Sequence, residues 1–98
     1  MDHQTTVGYT TRDLAAAEEN QRLIDAVFAE LDADRPDGLT YRVSRSEDGL
    51  SFTHVAVYAA EENPLLRMPA FQAFSSTIGE RISEPPAVRS GEVVARFG

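Results

Sequence analysis

The chain has no cysteine, so disulfides, thiolate nucleophiles and cysteine-ligated metals are excluded. It has no lysine either: all nine basic residues are arginine, against sixteen acidic ones, for a net charge of −7. That balance disfavours DNA or RNA as a partner. A GC-rich genome accounts for most of the arginines, and bidentate anion binding is the functional alternative. No run approaches the ~18 apolar residues of a membrane span; the longest is Val55–Ala60. Met1–Gln4 carries neither a basic region nor an apolar one, so a cytoplasmic location is expected. GxSxG, GxGxxG, P-loop and HExxH motifs are all missing. The two histidines, His3 and His54, lie far apart and form no zinc set. No metal, haem or flavin is expected as a cofactor.

What is present is enough for one folded domain, residues 1–98: 98 residues, 42% of them hydrophobic. Thr5–Thr11 is β-branched and aromatic and reads as a strand. Asp13, or alternatively Thr11, caps a helix from Leu14 to about Leu31. Its stripe is Leu14, Ala17, Ile24, Phe28 and Leu31, widened by Leu23 and Val27, with Glu18 and Arg22 paired on its surface. Pro36 and Asp37-Gly38 stop it. Leu39–Arg45 and Ser51–Ala59 form a hairpin around Asp48-Gly49. After a turn at Asn63-Pro64, Pro69 opens a second helix with Phe71, Phe74, Ile78 and Ile82 on one face, ended by Pro85-Pro86. Val88–Phe97 is the last strand. The order β-α-β-β-α-β predicts an α+β, ferredoxin-like fold: a four-stranded antiparallel sheet with both helices on one face.

The hairpin pairs Val43 with His54, Tyr41 with Ala56 and Leu39 with Tyr58 if Glu47 and Leu50 flank the turn. Tyr41, His54 and Tyr58 then share a face. A bulged loop would break the set. The third strand is apolar on both sides, with Phe52, Ala56 and Tyr58 on one and Val55 and Val57 on the other. Two helices cover one side, so the other is expected to pack against a second copy of the sheet.

The stretches Ala17–Leu31, Gly38–Arg42, Asp48–His54 and Asn63–Phe74 together resemble the antibiotic-biosynthesis-monooxygenase-like family of dimeric α+β barrels, in a poorly characterised bacterial branch. The resemblance covers nearly the whole chain and implies the fold and a homodimer. Activities in that superfamily range from cofactor-free oxygenation of polycyclic polyketides to haem degradation and isomerisation. The haem-degrading members resemble a site with Asn on the first strand and His and Trp on the second helix; this chain has none of these. The cofactor-free oxygenases are known for Asn, Trp, Tyr and Arg around an aromatic substrate, and here Trp alone is missing.

Each candidate residue carries two readings. His54 is a general base aided by Tyr41 or Tyr58, or a strand histidine satisfied by a neighbour. Asn20 is a donor to a substrate oxygen, or a solvated helix residue; Gln21 lies nearer the apolar stripe and is its rival. Phe28, Phe71 and Phe74 line an aromatic pocket, or the core. Arg42, Arg45 and Arg96 bind an acidic group, or are solvated edge charges, as Glu61-Glu62 is. The enzymatic expectation is a cofactor-independent oxygenase for an aromatic or polyketide-like molecule, with His54 as base and Asn20 and Tyr41 as donors. The alternative is a non-catalytic dimeric binding module. An open cleft beside His54, with Tyr or Asn in hydrogen-bond reach, favours the enzyme; full packing of His54 favours the module.

If two copies cover each other's sheet, the interface is expected to bury ~2,000 Å² or more in total, and folding is linked to association. The midpoint of thermal unfolding should then rise with protein concentration. A charge at Val55 or His54, whichever faces the partner, should yield monomer or aggregate in sedimentation. A monomer whose melting ignores dilution would contradict the paired-sheet reading.

Overall fold

A computed structural model describes residues 2–97. Its elements are β1 (His3–Thr10), α1 (Leu14–Asp34), β2 (Leu39–Arg45), β3 (Ser51–Tyr58), a 3-10 turn at Pro64–Arg67, α2 (Pro69–Ser76), a second 3-10 turn at Ile78–Glu80, and β4 (Ala87–Glu92). The sheet is antiparallel throughout, in the order β2-β3-β1-β4. This is the expected ferredoxin-like α+β architecture. The hairpin register is also as expected, with Val43 opposite His54, Tyr41 opposite Ala56 and Leu39 opposite Tyr58. Asp48 holds the turn by accepting from the Leu50 amide and the Ser46 hydroxyl, and Gly49 takes the positive φ of 79° that the reversal needs.

Asp13 caps α1, its carboxylate accepting from the Ala16 amide. The helix runs past Leu31 to Asp34, because nothing breaks it before Arg35. Arg35 ends the helix in the left-handed region at φ 44°, donating its amide to the Leu31 carbonyl, and Pro36 follows it, where no helix can continue. The buried side of α1 is Ala16, Ala17, Asn20, Ile24 and Val27. Leu14, expected in that stripe, is 59% exposed. Arg22 pairs with Glu19 and not with Glu18, which Arg45 takes at 2.9 Å.

Three further expectations are corrected. α2 stops at Ser76, so Ile78 sits in the following 3-10 turn and Ile82 beyond it, bridged to Thr11. The cause is local competition for carbonyls. The Ser75, Ser76 and Thr77 hydroxyls donate back to Gln72 and Ala73, and the Arg81 guanidinium takes the Phe74 carbonyl that the next helical amide would need. The last strand ends at Glu92, short of Phe97. β4 pairs only with β1, and after Val93 donates to the Asp2 carbonyl the described part of β1 is used up. β1 runs His3–Thr10, beginning two residues before the expected Thr5 and ending before Thr11, with His3 opposite Tyr58 and the two rings 5.6 Å apart.

α1 and α2 pack on the face that carries Tyr9, Phe52, His54 and Ala56, and a core of Ala17, Ile24, Val27, Phe52, Leu65 and Phe74 fills the layer between. α2 lacks a cap of its own at Met68. Glu30 of α1 supplies one, its carboxylate accepting from the Ala70 amide at 2.9 Å. The far face leaves Val55 and Val57 half-buried in the isolated chain. Among the described residues no helix is long and apolar enough to cross a membrane.

Phe52 is fully buried at the centre of this layer. Phe52→Ala should cost about 3–5 kcal/mol, much of the about 5–15 kcal/mol that holds a domain of this size folded. A denaturant midpoint shifted by less than a fifth of its value would show that the core lies elsewhere.

Candidate functional site

The register of the sheet builds the site. On β3, His54 points toward the helices between Phe52 and Ala56. Tyr9 on β1 is opposite Phe52, and Tyr41 on β2 is opposite Ala56. Each tyrosine is therefore a diagonal neighbour of His54, displaced in opposite directions along the strands, within reach of a long side chain. The Tyr9 hydroxyl lies 2.6 Å from His54 Nε2, and the Tyr41 hydroxyl lies 2.6 Å from Nδ1. Both ring nitrogens are thus engaged, and neither is free to take a proton directly from a bound molecule.

The chain of hydrogen bonds continues into the helices. Asn20, 0% exposed on α1, donates its amide to the Tyr9 hydroxyl at 2.8 Å. Arg81, 4% exposed, donates Nε to the Asn20 carbonyl oxygen at 2.8 Å. Its other two nitrogens donate to the Thr77 hydroxyl at 2.7 Å and the Phe74 carbonyl at 2.8 Å, and its guanidinium lies 5.1 Å from the Phe74 ring centre. The result is one buried sequence of partners: Arg81, Asn20, Tyr9, His54, Tyr41.

Burial sets the protonation of this sequence. It pushes His54 down to about 4 and Tyr9 up to about 12, the latter against the lowering effects of the Asn20 hydrogen bond and the Arg81 charge. It also raises Tyr41, with the neighbouring Tyr9 adding to the effect. At neutral pH all three are uncharged.

A cavity of about 230 Å³ opens beside them, between the sheet and α2. Tyr9, Tyr41 and His54 form a hydrogen-bonded strip of its wall, Thr5, Asn63 and Ser75 add polar groups, and Val7, Ala56, Leu65, Phe71, Phe74 and Ile78 supply apolar surface. Among the described residues no Asp, Glu or Arg lines it. Of the residues singled out in the sequence, His54, Tyr41, Phe71 and Phe74 meet at this cavity, and Asn20 reaches it through Tyr9. Phe28 does not line it, but stacks on Tyr41 from outside at 5.1 Å. Tyr58 does not either; its hydroxyl bonds Thr5 at 3.2 Å. Gln21 is half-exposed and bonds Asp25. Arg45 and Arg96 are taken by Glu18 and Asp2, Arg42 is exposed, and Glu61 and Glu62 are exposed in their loop. Among the described residues no cluster of three His, Cys, Asp or Glu could hold a metal ion.

Two members of the hydrogen-bonded line escape a reading of the sequence. Tyr9 stands out only once β1 is paired with β3, because its importance is a matter of register. Arg81, between Glu80 and Ile82, has no local signal at all; its inward aim depends on the 3-10 turn that follows α2.

Keeping His54 neutral has a cost that depends on pH. Its pKa falls from 6.5 unfolded to about 4 folded, so as pH drops through that window the unfolded chain binds a proton that the folded chain refuses. Stability should therefore decrease from pH 6.5 to about 4, by on the order of 3 kcal/mol from this group, and the loss should level off below. The check is the pH dependence of unfolding for the wild type and His54→Gln: the variant should show the shallower slope above pH 5, before carboxylates titrate. Parallel slopes would mean that His54 titrates normally.

No family model matches the chain, and no curated protein matches it by sequence. Solved structures do match. A protein of Nitrosomonas europaea, provisionally named an antibiotic biosynthesis monooxygenase, is 13% identical with a TM-score of 0.78, over 99% of this chain and 94% of its own. A dimeric ferredoxin-like protein from an uncultured marine organism is 13% identical with a TM-score of 0.67, over 98% of this chain and 90% of its own. A variant of SnoaB, a cofactor-independent oxygenase from Streptomyces nogalater, is 17% identical with a TM-score of 0.64, over 99% and 95%. At these identities the likeness is one of fold: the chain has the ferredoxin-like α+β fold of antibiotic-biosynthesis-monooxygenase-like proteins, as its sequence resemblance implies.

Proposed function

We propose that this chain is a homodimeric, cofactor-independent oxygenase acting on a small planar aromatic molecule bound between α2 and the sheet. The observation that carries this reading is a largely apolar cavity with a hydrogen-bonded strip, Tyr9, His54 and Tyr41, in its wall. His54 borders an open cavity with two tyrosines in hydrogen-bond reach, and that is the environment that favours an enzyme over a packed strand histidine. At about 230 Å³ the space is below the about 300 Å³ at which sites for drug-sized ligands begin. It therefore suits one or two fused rings better than a polycyclic polyketide.

The chemistry needs no resident cofactor. A phenol or enol enters as its anion, its proton left in bulk water, and its oxygen accepts from the Tyr41 hydroxyl. The electron-rich ring carbon then reduces O2, a C–O bond forms, and the resulting peroxide takes up a proton. Loss of water from a CH–OOH centre leaves C=O, so that CH2 and O2 become C=O and H2O. The protein contributes a dry pocket and preorganised hydrogen bonds to the developing anion. With both of its nitrogens engaged, His54 serves as the link that orients Tyr41, in place of the role of free base that its residue type first suggests.

The homodimer is supported by the valines Val55 and Val57 on the sheet face away from the helices. It is supported also by Val88, Val94 and Phe97, all exposed along the β4 edge and the segment after it, and by the dimeric neighbour of the same fold. A second copy covers these surfaces. One observation favours a non-catalytic binding module instead: at neutral pH the site holds no strong base, since His54 is neutral and doubly bonded.

Oxygen uptake with a two-ring phenol such as 1-naphthol, whose keto tautomer carries the CH2 that the reaction converts, without added metal or flavin, separates the readings. Uptake is expected, and Tyr41→Phe should lower kcat about tenfold or more by removing a hydrogen bond to a charged oxygen. Tight binding without uptake would establish the module; no binding of any such molecule would overturn both.

A further inference from the structure

We propose that Arg81 is a positioning residue that fixes the direction of the hydrogen-bond chain, so that the cavity offers a donor, the Tyr41 hydroxyl, and selects ligands presenting an acceptor or anionic oxygen. The ligand half of this proposal rests on the small-molecule reading above; the directional half does not.

One group in the chain cannot change roles. A guanidinium has five N–H donors and no acceptor. Arg81 Nε lies 2.8 Å from the Asn20 side chain, so the amide must turn its oxygen toward Arg81; the opposite orientation would set N–H against N–H. The Asn20 nitrogen then faces the Tyr9 hydroxyl at 2.8 Å and donates to it. A phenol oxygen, with one lone pair delocalised into its ring, makes one good acceptor bond and one donor bond. With the acceptor position filled by Asn20, the Tyr9 O–H points at His54 Nε2, 2.6 Å away. Nε2 accepts, so in the neutral imidazole the hydrogen sits on Nδ1. Nδ1–H donates to the Tyr41 oxygen at 2.6 Å. Each bond has consumed one donor, and the hydrogen left over is that of Tyr41, which lines the cavity.

Reversing the chain would leave the Tyr9 hydrogen surplus, with its oxygen accepting twice, and would still require Asn20 to face Arg81 the same way. Arg81 also brings a positive charge with no carboxylate in direct contact: among the described residues it forms no ion pair, and Glu19 and Glu80 act on it only from a distance. Two of its four other N–H donors go to the Thr77 hydroxyl and the Phe74 carbonyl. A buried cation whose dipolar partners all point one way favours negative charge at the far end.

The direction is read without any ligand from the His54 tautomer, by heteronuclear NMR of protein carrying isotope-labelled histidine. The expected result is an Nδ1–H imidazole in the wild type and in Arg81→Lys, since an ammonium also only donates. Arg81→Gln, whose amide can accept, should mix or reverse the tautomers. An Nε2–H imidazole in the wild type overturns the proposal, as does an unchanged tautomer in folded Arg81→Gln. If Arg81→Gln fails to fold, Asn20→Asp replaces it: a carboxylate beside Arg81 can only accept from Tyr9, so the tautomer should reverse to Nε2–H, and an unchanged Nδ1–H overturns the proposal. The ligand half is read with para-nitrophenol, whose ionised form absorbs in the visible. The wild type should hold the phenolate over the phenol, with that preference reduced about tenfold or more in Tyr41→Phe and in Arg81→Gln, and largely kept in Arg81→Lys. A preference for the neutral phenol overturns the selection. Failure to bind either form, with the Nδ1–H tautomer in place, overturns the selection and the proposed function while the direction stands.

Discussion

Sealing a guanidinium and an amide beneath two helices obliges every polar atom around them to find a partner, because an unpaired buried group costs several times what a made hydrogen bond returns. Here Asn20 and Arg81 are among the most deeply buried residues in the chain. They satisfy each other, and each passes its remaining demand onward: Arg81 to Thr77 and the Phe74 carbonyl, Asn20 to Tyr9. The demand reaches the sheet, crosses His54 and ends at Tyr41 on the edge strand β2. Four elements and a turn are tied together by one line of bonds. The apolar core around it supplies most of the stabilisation, but an apolar core tolerates sliding; this line does not.

The same constraint shapes the cavity. Arg81 can reach Asn20 only because α2 stops early, and it helps stop α2 by occupying the Phe74 carbonyl. The turn that follows puts Ile78 on the cavity wall beside Phe74. The uncharged state of His54 and the two tyrosines follows from the same burial. A largely apolar pocket with a hydrogen-bonded strip and, among the described residues, no formal charge on its walls is then a product of how the helices close, and not of any cluster of catalytic residues close together in sequence.

Much of this is legible in the amino-acid sequence and some is not, for identifiable reasons. Asp48-Gly49 names a hairpin, and a hairpin's register follows from its turn, so residue order alone puts Tyr41 and His54 on one face. Asn20 is visible as a mediocre helix former in a polar run, yet Gln21 competes with it. Periodicity draws the stripe through Leu14, whereas the buried line runs Ala17, Asn20, Ile24, Val27. One polar residue inside an apolar stripe looks like the boundary of the stripe. Phe28 and Tyr58 carry aromatic rings on the right elements but meet Tyr41 and Thr5 instead of the cavity. The end of α2 is hidden because side chains compete for its carbonyls, and such a competition has no periodicity to read.

The double employment of Arg81 bears on how such a chain can diverge. A residue that only touched a ligand could be exchanged freely as descendants took up new molecules. Arg81 also terminates a helix and holds a buried amide, so its loss would move Phe74 and Ile78 together with the hydrogen bonds. Variation that leaves the fold intact is confined to the parts of the wall that carry no such duty, of which Leu66, half outside in the turn before α2, and Phe71 on the helix itself are the freest. Lineages built on this chain would be expected to keep the same oxygen-facing strip and to differ in the size and shape of the hydrocarbon that lies against it.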